Sequence, residues 1–154
     1  MRFLIAAALV PALGVFAVPT AAQDVSATPN FGTLNLSAGF TPDPRTVSVT
    51  SGGSLSASDV GSGCAGSISN APDVRLSYSA GSLPLIISVN SNSDTTLVIN
   101  APDGRWYCDD DSGEGTNPSV RFNSPQSGRY EIWVGSYGGG SAQAMLAISE
   151  VGSQ

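Results

Sequence analysis

The sequence predicts an all-β chain, an antiparallel β-sandwich or jelly roll folded as a single domain, and three observations carry that prediction. Its apolar segments are short, rich in β-branched and aromatic residues, and bounded by Gly, Pro, Asn, Asp or Ser, and none has a long helical period. Where alternation is clear it has period two: Tyr130, Ile132 and Val134 fall on one face of a strand, Glu131 and Trp133 on the other, and Ala144, Leu146 and Ile148 repeat the pattern. The segments are joined by turns of recognisable chemistry, Ala101-Pro102-Asp103-Gly104 and Pro125-Gln126-Ser127-Gly128, with Pro and Gly where tight turns favour them.

Taken in order, the chain opens with an address rather than a fold element. Met1 to Ala22 has one positive residue, Arg2, an apolar run from Phe3 to Val18 and small residues at Thr20, Ala21 and Ala22, the pattern of a secretory signal peptide cut between Ala22 and Gln23. An uncleaved anchor is the competing reading, but Pro11, Gly14 and Pro19 interrupt a run already short for a bilayer, and no later segment is long and apolar enough to span one. Residues 23–154 then form the one domain, 132 residues long and sufficient for a core. Its ends, 23–31 and 150–154, are small and polar and predict fraying. Strands are predicted at Gly32 to Leu36, Arg45 to Thr50, Gly66 to Ser69, Val74 to Ser79, Leu85 to Asn90, Thr95 to Asn100, Arg105 to Cys108, Ser119 to Phe122, Arg129 to Gly135 and Ala142 to Ser149. Phe31 to Val60 is thin in apolar residues, so its strands suit sheet edges or cover.

Two cysteines in an exported chain, Cys64 and Cys108, predict one disulfide. A redox or nucleophilic thiol would call for a CxxC partner, or a histidine or lysine to lower its pKa, and the sequence has none of these. The chain has no histidine, and its six basic residues are all arginines, so Ser-His-Asp, Cys-His, Ser-Lys and histidine-zinc chemistry are removed together. A net charge of −6, or −7 after loss of Arg2, without a basic cluster argues against nucleic acid as a partner.

From Leu85 to Ile148 the sequence runs Leu85-Ile86-Ile87-Ser88-Val89, Asp94-Thr95-Thr96-Leu97-Val98-Ile99, Pro102-Asp103-Gly104, Asp109-Asp110-Asp111-Ser112-Gly113, Gly128-Arg129-Tyr130-Glu131-Ile132-Trp133-Val134 and Gly135-Ser136-Tyr137, then a last strand. This order resembles the bacterial pre-peptidase C-terminal domain across residues 85–149. The resemblance implies a small secreted β-sandwich, itself non-catalytic and usually appended to an exported peptidase, with relatives that bind calcium and extracellular polymers such as polysaccharide or collagen. The segment before Leu85, Cys64 included, has no counterpart in that pattern.

Asp109, Asp110, Asp111 and Glu114 crowd one loop with Asn117 as a neutral oxygen donor, and Gly113 and Gly115 let the backbone curl. Calcium takes about six to eight oxygens, which such a loop can supply. On an extended backbone Asp109 and Asp111 project together and Asp110 to the other side, so the first two are the expected ligand pair, with Asp94 approaching from a neighbouring loop as the resemblance implies. The spacing is not an EF-hand, and a solvated acidic turn is the plainer alternative. Trp106, Tyr107, Trp133 and Tyr137 form a candidate platform for sugar rings or peptide side chains, unless Trp133 is simply core.

The reading is thus an exported, periplasmic or extracellular, non-catalytic binding or accessory module, with calcium as its cofactor and polysaccharide or protein as its partner. Two alternatives stand beside it. A carboxylate-dependent hydrolase could be a glycosidase drawing on Glu114 or Glu131, or an aspartic-peptidase-like dimer through Asp111-Ser112-Gly113. A surface structural protein could instead self-assemble through edge strands.

Overall fold

The computed structural model describes residues 23–154, so the signal-peptide reading lies outside the described residues. Within them, all ten predicted strands form, and they pack as two sheets. They are β1 (Thr33–Ser37), β2 (Arg45–Thr50), β4 (Ser67–Ile68), β5 (Val74–Ser79), β6 (Leu85–Asn90), β7 (Thr95–Asn100), β8 (Trp106–Asp109), β9 (Ser119–Phe122), β10 (Gly128–Ser136) and β11 (Gln143–Ser149). An eleventh, β3 (Leu55–Ser56), precedes a single 3-10 turn at Ala57–Asp59.

β10 organises the first sheet. Along one edge it pairs with β7, which pairs with β8. Along the other edge its first half pairs with β5 and its last residue with β4, beyond which lie β1 and β3. The second sheet runs β2-β11-β6-β9. As the composition of Phe31 to Val60 predicts, β1, β2 and β3 are all edge strands. The sandwich departs from the predicted antiparallel rule once, because β1 lies parallel to β5, with Leu34 opposite Leu76.

The period-two pattern builds the core directly. Leu76, Tyr78, Leu97, Ile99, Tyr130, Ile132 and Val134 point inward from the first sheet and meet Val49, Leu85, Ile87, Val89, Ala144, Leu146 and Ile148 of the second. The other face of β10 is buried too. Trp133 is 0% exposed and packs with Ala57, Cys64, Ile68 and Val98 beneath a cap made by residues 55–69, so it faces a folded-over cover rather than a second sheet. Gly135 permits this close approach, since a Cβ there would lie 2.2 Å from Thr96 Oγ1 and 3.0 Å from Ile68 Cγ2.

Residues 23–31 and 150–154 both depart from the predicted fraying. Asp24 N–H donates to Asn70 O at 3.0 Å, Asn30 N–H to Pro72 O at 2.9 Å and Phe31 N–H to Asp73 O at 2.7 Å. At the other end Glu150 is 8% exposed and accepts from Tyr78 Oη at 2.5 Å and Gly39 N–H at 2.8 Å, while Gln154 N–H donates to Ser88 Oγ at 3.0 Å. Polar composition suggests solvent, yet here these segments hydrogen-bond to loop carbonyls, a loop N–H and buried hydroxyls of the folded body and so satisfy its polar groups.

Asp73 does this at the centre of the fold. On the β5/β4 edge of β10, β5 stops opposite Ile132 and β4 begins opposite Ser136, which leaves Val134 without a strand partner. The Asp73 carboxylate fills the gap by accepting the Val134 N–H at 2.8 Å, and the Gly52 N–H donates to Val134 O at 2.9 Å. Asn30 Nδ2 donates to the other Asp73 oxygen at 3.1 Å, tying the first residues to the same point.

Candidate functional site

Register sets up the loop end of the sandwich. Leu97 of β7 lies opposite Asp109 of β8, so as β8 runs on past its last paired residue the chain passes back toward Thr95 and Asp94. Ser136 of β10 lies opposite Thr95 on the other side, and Tyr137 N–H donates to Asp94 O at 3.2 Å. Three loops therefore converge there, and Asp94, Asp110 and Asp111 each offer a carboxylate oxygen within 4.8 Å of the others. Asp94 Oδ1 and Asp110 Oδ1 are shielded from solvent and have no hydrogen-bond partner among the described residues. Burial, then the charges of Asp111, Asp94 and Asp109, raises the Asp110 carboxyl above its ordinary value.

This cluster differs from the ligand pair predicted on an extended backbone. Asp109 is committed elsewhere: its Oδ2 accepts from Ser112 N–H at 2.9 Å and Ser119 N–H at 2.8 Å, and its Oδ1 from Ser112 Oγ at 2.5 Å. Those bonds bend the chain at the end of β8 and turn Asp110 and Asp111 to one side. Asn117 is likewise occupied, its Oδ1 accepting from Ser91 N–H at 3.0 Å, and Glu114 is exposed at the loop tip, outside the cluster. The loop is anchored as predicted, by a Cys64–Cys108 disulfide with Cα atoms 5.0 Å apart.

The four aromatics do not share a surface. Trp106 and Trp133 stack beneath the cap with ring centroids 5.4 Å apart. Tyr107 faces the space between the sheets, edge-on to Phe122 at 5.0 Å, and its hydroxyl donates to Asp103 at 2.9 Å. Only Tyr137, at 55% exposure, is free, and it stands beside Asp94.

Two buried carboxylates tie the fold together, Glu131, which the sequence offered only as a hydrolase candidate, and Asp73, which it did not single out. Glu131, 2% exposed, accepts from Arg75 Nε at 2.7 Å and Arg129 Nε at 2.8 Å through one oxygen, and both arginines reach on to the Val25 carbonyl. That clamp holds the first residues against the sheet through one carboxylate oxygen, while the other, Oε2, is buried without a partner among the described residues. The second is Asp73, whose carboxyl burial pushes up to about 6 against hydrogen bonds from Val134, Asn30 and Ser69. A carboxyl that holds its proton more tightly folded than unfolded contributes stability that is full below about pH 4 and lost as the pH rises through about 6, roughly 3 kcal/mol. Wild-type protein measured against Asp73→Asn should therefore lose stability between pH 4 and pH 7 in urea titrations; a pH-independent difference between the two would refute this.

No protein-family model matches the chain, and no curated protein matches it. Among solved structures, a crystal structure of Aeromonas hydrophila PliG, a periplasmic lysozyme inhibitor of g-type lysozyme, is similar over 76% of this chain and 96% of that one, with 15% identity and a TM-score of 0.38.

Proposed function

We propose that this chain is an exported, non-catalytic binding or accessory module of the pre-peptidase C-terminal type, and that calcium binds at its loop end. The observation that carries the proposal is the convergence of Asp94, Asp110 and Asp111 with two of their oxygens withdrawn from water and unpaired. Carboxylates at such range repel one another, and a hard divalent cation turns that repulsion into attraction. Three carboxylates with backbone carbonyls and water suit the oxygen-rich shell of calcium. Tyr137, exposed beside them, is then the aromatic surface that a polysaccharide or protein partner would meet.

Calcium should raise the melting temperature of the purified protein, with a stabilisation of roughly 3 kcal/mol when calcium is about 100 times its dissociation constant. Asp110→Ala and Asp111→Ala should abolish the rise, and Asp94→Ala should weaken it. A melt unchanged by millimolar calcium would sink the cation site. A panel of glycans and proteins screened with calcium, with Tyr137→Ala as the control, addresses the partner.

A further inference from the structure

We infer that the exported protein carries a cyclised amino terminus, a pyroglutamyl residue made from Gln23. The inference rests on the cleavage expected between Ala22 and Gln23, which makes Gln23 the first residue of the exported chain.

Gln23 is 6% exposed, and both Oε1 and Nε2 of its side chain are buried without a hydrogen-bond partner among the described residues. The chain cannot readily swing out to relieve this. Asp24 N–H donates to Asn70 O, and Val25 O accepts from Arg75 and Arg129, so the two residues that follow are held to the body of the protein. An uncyclised terminus would place an α-ammonium group on this residue, next to a primary amide whose donors are already unmet, and burying an unpaired charge or donor is costly.

Ring closure removes the charge, leaves fewer donors to satisfy and needs no oxidant or cofactor. The α-amine, with an ordinary pKa of about 8, is partly neutral at neutral pH. Its nitrogen attacks Cδ of its own side chain. A bond from the α-nitrogen to Cδ forms, the bond from Cδ to Nε2 breaks, and the amine gives one proton to the leaving nitrogen, which departs as ammonia. The product is a neutral five-membered lactam with one N–H and one carbonyl, in place of an ammonium group and a primary amide. Such a terminus has no free α-amine, so it is closed to aminopeptidases.

Intact-mass measurement and amino-terminal peptide mapping of protein exported by cells making all 154 residues test this directly. The expected mass is that of residues 23–154 with one disulfide, less one ammonia, and stepwise sequencing from the amino end should be blocked until pyroglutamyl peptidase is applied to the denatured chain. Gln23→Ala should give an open terminus that sequences normally. A wild-type chain that begins at Gln23 and keeps its ammonia overturns the cyclisation and leaves the cleavage reading standing. A chain that begins at any other residue overturns both.

Discussion

Replacing Trp133 with alanine should cost the fold about 3–5 kcal/mol, the range seen when a large aromatic leaves a closed interior. The side chain is 0% exposed and sits where the outer face of β10 meets the cap, against Ala57, Ile68 and Val98, with Trp106 at 5.4 Å. The cap contributes only short strands and one 3-10 turn around this ring, and it has little other apolar mass with which to close the cavity. Trp133→Phe separates size from polarity. Trp133 Nε1 is buried without a partner among the described residues, so the phenyl ring removes an unmet donor while keeping most of the packing, and it should cost less than about 1.5 kcal/mol. Urea unfolding of the two variants checks the pair; an alanine variant within about 1 kcal/mol of wild type would mean that the cap is not packed on this ring.

Removing the Cys64–Cys108 disulfide by changing both residues to alanine should cost roughly 4 kcal/mol, from the chain entropy that the crosslink withholds from the unfolded state by closing 45 residues. The bond joins the cap to β8 at the residue before Asp109, so its loss frees the cap and the root of the acidic loop together. The double variant should melt well below wild type, and reductant should lower the wild-type melt while leaving the variant unchanged. An equal melting temperature for the two proteins would refute the estimate. Combined with Trp133→Ala the losses should fall short of their sum, because both act on one cover and a cap already loosened has less left to lose.

The alternation of Tyr130, Ile132 and Val134 fixes which face of β10 is core, and the Pro-Asp-Gly turn marks where β7 ends, so the sandwich could be read before any coordinates. What resisted reading was local structure set by distant partners. Leu55–Ser56 is too short to show a period, and its pairing with β4 is a tertiary choice. The parallel match of β1 to β5 is invisible for the same reason. At the site, an extended backbone predicts Asp109 and Asp111 on one side, but Ser112 and Ser119 capture Asp109 and the strand ends there. The acidic loop was legible as composition, while its choice of Asp110 depended on hydrogen bonds from residues up to ten positions away. The polar segment from Gln23 to Phe31 looked free because nothing in its own sequence shows that Asn70, Pro72 and Asp73 present groups to receive it.

Asp73 has a consequence for which positions tolerate change. A core leucine or isoleucine can be exchanged for a neighbour of similar volume at modest cost, because packing asks only for shape. Position 73 stands in for a missing strand, so it must place an oxygen where a carbonyl would have been, at a reach that few side chains share. Constraint on sequence in this sandwich therefore extends beyond its apolar core, to a polar side chain standing outside every strand.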